Sequence, residues 1–82
     1  MNYEVIFTAK ADSETMGLPP RAFKLLFEAL GQIARDPWAA TFPDGPSTTP
    51  YRWAPFGDDG MLVAYIDEDN GSVRIYGLTW TG

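Results

Sequence analysis

The chain has no cysteine and no histidine. The first absence excludes disulfides and thiolate chemistry. The second excludes a Ser-His-Asp triad, a Cys-His dyad and an imidazole metal site. General acid–base work is left to carboxylates, lysine, arginine or tyrosine. Positive charge is also scarce. Six Lys and Arg stand against eleven Asp and Glu, a formal net charge of -5. That sign is wrong for a protein whose main ligand is a polyphosphate, and it suits a basic protein partner or plain solubility. Long apolar runs are missing as well. No stretch approaches the roughly 18 apolar residues of a membrane span. Met1-Asn2-Tyr3-Glu4 lacks the basic-then-apolar layout of a signal peptide. The expectation is a cytoplasmic protein with no cofactor, no metal and no membrane contact, for which direct binding of free nucleic acid is disfavoured.

What the chain does have is apolar bulk. Its 82 residues make one domain, residues 1–82. A domain this small must pack large apolar groups densely. Here 45% of residues are hydrophobic and 15% aromatic, enough to offset the entropy of ordering.

Tyr3 to Thr8 alternates with a period of two and predicts a strand. Ile6 makes its second face partly apolar, which suggests cover on both sides. Residues 11–16 fit one helical turn or an irregular link equally well. Pro19-Pro20 then opens a helix over about 19–35, since proline suits the first turn. Phe23, Leu26, Phe27, Leu30, Ile33 and Ala34 recur at helical spacing, with Arg21, Lys24, Glu28, Gln32 and Arg35 opposite. Lys24 and Glu28 are spaced to pair across a turn. Asp36-Pro37 ends the helix.

Residues 38–50 read as a long surface connection anchored by Trp38 and Phe42, the natural place for a mobile or binding segment. Tyr51 to Ala54 reads as a short strand stopped by Pro55, and Phe56 to Gly60 as a turn. Met61 to Ile66 reads as a central strand. Asn70-Gly71 signals a hairpin in which both residues tolerate positive φ. In the last strand, Val73, Ile75, Gly77 and Thr79 alternate with Arg74, Tyr76, Leu78 and Trp80. The pattern predicts an α+β domain, β-α(α)-β-β-β, with a helical layer on a small, mostly antiparallel sheet. Of Trp38, Trp53 and Trp80, one is expected to be exposed.

These pieces together resemble a family. The Met-x-Tyr-Glu-Val strand, Leu18-Pro19 before a helix closing in Ala34-Arg35-Asp36-Pro37, and Pro50-Tyr51-Arg52 followed by Val63-Ala64-Tyr65 are similar to the RelE/ParE superfamily of toxins from bacterial type II toxin–antitoxin systems. The similarity spans about residues 1–80. It implies a RelE/ParE-like fold and a cognate antitoxin as partner. RelE-like members cut mRNA on the ribosome, and ParE-like members act on DNA gyrase.

Carried over by position, Arg52 would be a phosphate-facing cation, and Arg74 a second one on the face shared with Tyr76 and Trp80. Leu62 stands where the family carries a further basic residue. The candidate catalytic set is therefore Arg52, Arg74 and Tyr76, with Tyr51 and Tyr65 nearby. The turn Asp58-Asp59 and the run Asp67-Glu68-Asp69 would repel RNA. Phe23, Phe27, Trp38 and Trp80 are the candidate partner-binding residues. The expectation is an antitoxin-binding protein of altered, gyrase-directed or lost toxicity. An active RelE-like endoribonuclease and a stand-alone adaptor domain are the alternatives.

Overall fold

The computed structural model describes residues 2–82. It is an α+β fold. The elements run β1 (Glu4–Phe7), α1 (Ala9–Thr15), α2 (Pro20–Arg35), α3 (Pro37–Ala40), β2 (Phe42–Pro43), β3 (Tyr51–Phe56), β4 (Gly60–Asp67) and β5 (Ser72–Trp80). The strands form one sheet in the order β1-β5-β4-β3-β2. β1 is parallel to β5, and every other pairing is antiparallel. No helix among the described residues is long and apolar enough to cross a membrane.

α1 is a full helix where the sequence left a choice. Thr8 caps it by accepting from the Ala11 N–H at 3.2 Å. Its Glu14 carboxylate accepts the Leu78 N–H at 3.0 Å, taking over along β5 where β1 ends. α2 opens with Pro19 as N-cap and Pro20 in the first turn, as expected. Its buried residues are Ala22, Leu26 and Ile33, so the stripe is rotated from the one predicted and leaves Phe27 exposed at its rim. Lys24 and Glu28 do not pair. The ion pair among the described residues is Lys10 with Glu14 at 3.7 Å.

The core lies between the helices and one face of the sheet. Leu26 and Ile33 of α2 meet Ala54, Phe56, Leu62, Ala64, Ile66, Val73 and Ile75. Fully burying one side chain of the size of Leu62 is worth about 1.5–3 kcal/mol. The opposite face carries no helix. Ile6 is 37% exposed there, so β1 is not covered on both sides.

β3 runs through Pro55 instead of stopping before it. β2 spans only Arg52 and Trp53 of β3, so Pro55 lies on an open sheet edge and its missing N–H leaves no ladder bond unmade. The 38–50 connection is ordered, holding most of α3 and all of β2. At the β4–β5 turn only Gly71 has positive φ, +61°, while Asn70 does not. Asp67 takes both the Asn70 backbone and side-chain N–H groups, which fixes a longer turn than a two-residue hairpin loop.

A bulge separates the two halves of β5. Ala64 pairs with Ile75, but Val63 pairs with Gly77, leaving Tyr76 as an extra residue. The alternation therefore changes phase. Leu78 pairs with Leu62 and joins the core with Val73 and Ile75. Trp80 goes the same way and stacks on buried Phe56 at 5.7 Å.

Candidate functional site

The uncovered sheet face is built from alternate residues of three strands. β3 contributes Tyr51 and Trp53, β4 contributes Met61, Val63, Tyr65 and Asp67, and β5 contributes Arg74 and, through the bulge, Tyr76. Tyr51 packs edge-on against Tyr65 at 5.0 Å and against Tyr76 at 6.4 Å. Phe42 of β2 stacks on Trp53 at 4.8 Å. A hollow of about 470 Å³ is lined by Tyr51, Tyr65, Asp67 and Arg74.

Arg74 is exposed in this hollow, opposite Tyr65 in the ladder. Its neighbour Asp67 has a lowered pKa, mainly through the Asn70 side-chain hydrogen bond, with the Arg74 charge a smaller contribution. The Tyr76 phenol is shifted up, first by burial and then by the charge of Asp44 and by Tyr51. It holds its proton more tightly than a free tyrosine, which makes it a poor general acid at neutral pH.

Arg52 is not in this hollow. Its place in β3 aims it to the covered side with Ala54 and Phe56. It is 4% exposed. Nε donates to Thr41 Oγ1 at 3.0 Å, Nη1 to the Ser47 and Thr49 carbonyls at 3.1 and 3.4 Å, and Nη2 to the Trp38 and Thr41 carbonyls at 3.2 and 3.0 Å. All the N–H donors of the guanidinium are thus engaged. The ring of Trp38 lies under it at 5.0 Å. The phosphate-facing role expected of Arg52 is overturned by this geometry: it is the clamp that orders the 38–50 connection.

Trp80 likewise does not share a face with Arg74. The bulge turns it to the covered side, where Arg21 lies 5.8 Å from its ring. The predicted catalytic residues therefore separate, with Arg74 and Tyr76 on the open face and Arg52 behind it. The remaining cations are on helices. Lys10, paired with Glu14, reaches the rim near Gly77, and Arg21, Lys24 and Arg35 lie on α2.

Of the predicted partner-binding residues, Phe23 and Phe27 line a groove of about 210 Å³ between α1 and α2, together with Phe7, Leu26 and Leu30. Phe27 is 66% exposed. Trp38 is half-buried, and its Nε1 donates to Glu68 Oε1 at 2.5 Å. The Tyr3 hydroxyl donates to the same oxygen at 2.6 Å. These two bonds lower the pKa of Glu68, Tyr3 being the larger cause. Trp38, Trp53 and Trp80 are all half-buried, so none is the exposed tryptophan expected. Sequence reasoning missed Asp44 and the joining of Phe42 to Trp53. The connection read as one loop hid β2, whose pairing with β3 brings both to the open face.

Several solved structures with this architecture come from toxin–antitoxin complexes. The chain is similar to the toxin of the RelBE2 toxin–antitoxin complex from Mycobacterium tuberculosis, with 27% identity, TM-score 0.85, and coverage of 99% of this chain and 100% of that one. It superposes on the toxin of the intact E. coli RelBE complex with TM-score 0.81 at 16% identity, covering 98% of both chains. The archaeal RelE–RelB complex from Pyrococcus horikoshii gives TM-score 0.79 at 16% identity, over 100% of this chain and 98% of the other. No family model matches the sequence, and no curated protein matches it.

Proposed function

From a chain that has the RelE/ParE-superfamily toxin fold, we infer an antitoxin-binding protein whose open sheet face no longer supports RelE-type cleavage of mRNA. One observation carries this reading. Arg74 is the exposed arginine of that face, and Asp67 stands beside it. Stabilising a phosphorane-like charge takes several preorganised cations. Arg52 is committed to carbonyls elsewhere. The aromatic floor and the net charge of -5 favour a protein ligand over a nucleic acid. The toxins of the similar structures were solved in complex with antitoxins, which supports the same class of partner here.

The test is expression with and without the product of the adjacent reading frame. A stable complex with a protein that has a DNA-binding half and a helical tail is expected. Purified protein added to a ribosomal translation system should leave mRNA intact. Cleavage that Arg74→Ala abolishes would establish the nuclease reading instead. Inhibition of gyrase supercoiling would mark a ParE-type activity. A harmless protein with no antitoxin-type neighbour would favour the adaptor.

A further inference from the structure

Aromatic rings on the two sides of the sheet have different company. On the covered side, Trp38 and Trp80 each have an arginine over the ring. On the open side, Phe42, Trp53, Tyr51 and Tyr76 surround a carboxylate instead. Asp44 donates its backbone N–H to the Tyr51 carbonyl at 2.9 Å. With Trp53, Met61 and Val63 it lines a shallow hollow of about 220 Å³. Its charge is felt by the Tyr76 phenol. Among the described residues, no Lys or Arg nitrogen lies within 4.0 Å of Asp44. Phe42 and Tyr51 are each 51% exposed and Met61 43%, an apolar strip running alongside the carboxylate.

We propose that this platform receives an arginine of a partner protein's tail, its guanidinium seated on the Tyr51 and Trp53 rings against Asp44. The partner is the antitoxin of the preceding section, so the inference rests on that reading. A guanidinium is the side chain that both stacks on aromatic faces and forks onto a carboxylate. Its methylene stem would lie along Met61 and Phe42. The acidic balance of the chain complements a basic segment. A nucleic acid could stack its bases on the same rings, but its phosphates would meet Asp44 and Asp67.

The experiment is calorimetric titration of the intact protein with the capped peptide (Arg-Ala)4 and its Glu-Ala and Lys-Ala counterparts. Saturable binding of the arginine peptide is expected, at least threefold tighter than the lysine peptide, with none of the glutamate peptide. Asp44→Asn and Tyr51→Ala should each weaken it at least fivefold, with circular dichroism unchanged. Asp69→Asn removes the same charge from the distant turn and should change it less than twofold. Equal losses from Asp44→Asn and Asp69→Asn would mean attraction to net charge alone and would overturn the proposal. So would displacement of the peptide by a short single-stranded RNA. An antitoxin that binds the Asp44→Asn/Tyr51→Ala protein undiminished would overturn this inference while leaving the antitoxin reading intact.

Discussion

The two faces of one sheet, built by alternate residues of the same three strands, have opposite characters. The covered face is mostly small and aliphatic, from Ala54 through Leu62 to Ile75, with Phe56 and Trp80 stacked at one end, and the one buried charge it admits is fully hydrogen-bonded. The open face is aromatic and carboxylate-bearing, with one exposed arginine. The difference separates what holds the protein together from what it offers a partner. Arg52 and Arg74, the same residue type on strands of one sheet, illustrate it. One is a structural strut, and the other is a surface group.

Neighbouring residues of β4 give the largest test of that division. Leu62→Ala should cost about 3 kcal/mol by denaturant unfolding, the range for truncating a buried leucine. Met61→Ala, one residue away on the open face, should stay within about 0.5 kcal/mol. Comparable losses at both positions would mean that the open face is also core.

The arginine pair comes next. Arg52→Ala removes charge-assisted bonds to four carbonyls and a hydroxyl, and should destabilise by about 2–3 kcal/mol. It should also increase hydrogen exchange across residues 44–50. Arg74→Ala should shift stability by less than about 0.5 kcal/mol. A harmless Arg52→Ala would contradict the clamp.

The bulge is a smaller effect. A Cβ on Gly77 would stand 2.9 Å from Val63 Cγ2. Gly77→Ala should therefore cost about 1–2 kcal/mol, as overpacking does. Val63→Ala in the same chain should restore part of it, a coupling that a double-mutant cycle reads directly.

The smallest effect belongs to the exposed Glu68 hub. Its carboxyl is depressed below its ordinary 4.5 by the Tyr3 and Trp38 bonds. A depressed carboxylate contributes stability above its unfolded value and loses it as pH falls through the folded one. Melting temperature should thus fall more steeply below pH 4.5 in the wild type than in Glu68→Gln. Equal slopes would show that the hub adds nothing.

Much of this division was readable in advance, and the failures have physical causes. The α2 span followed from helical periodicity and the central place of β4 from its unbroken apolar run, and the order of elements carried the family resemblance. The side of Trp80 did not follow, because a bulge adds one residue to a strand without any mark in its composition. Arg52 misled because its phosphate-facing role came from the family resemblance, and the carbonyls that engage it lie in the 38–50 connection, whose irregular sequence gives no sign that it folds back over β3. Asp44 stayed hidden because a two-residue strand leaves no periodic signal at all.

The parallel seam between β1 and β5 has a consequence for biosynthesis. Val5 pairs with Val73, so the first strand made has no sheet neighbour until the last one leaves the ribosome. Such distant pairing slows folding. Until then the backbone N–H and C=O groups of β1 that β5 will pair stay open to whatever chaperone or partner strand reaches them first.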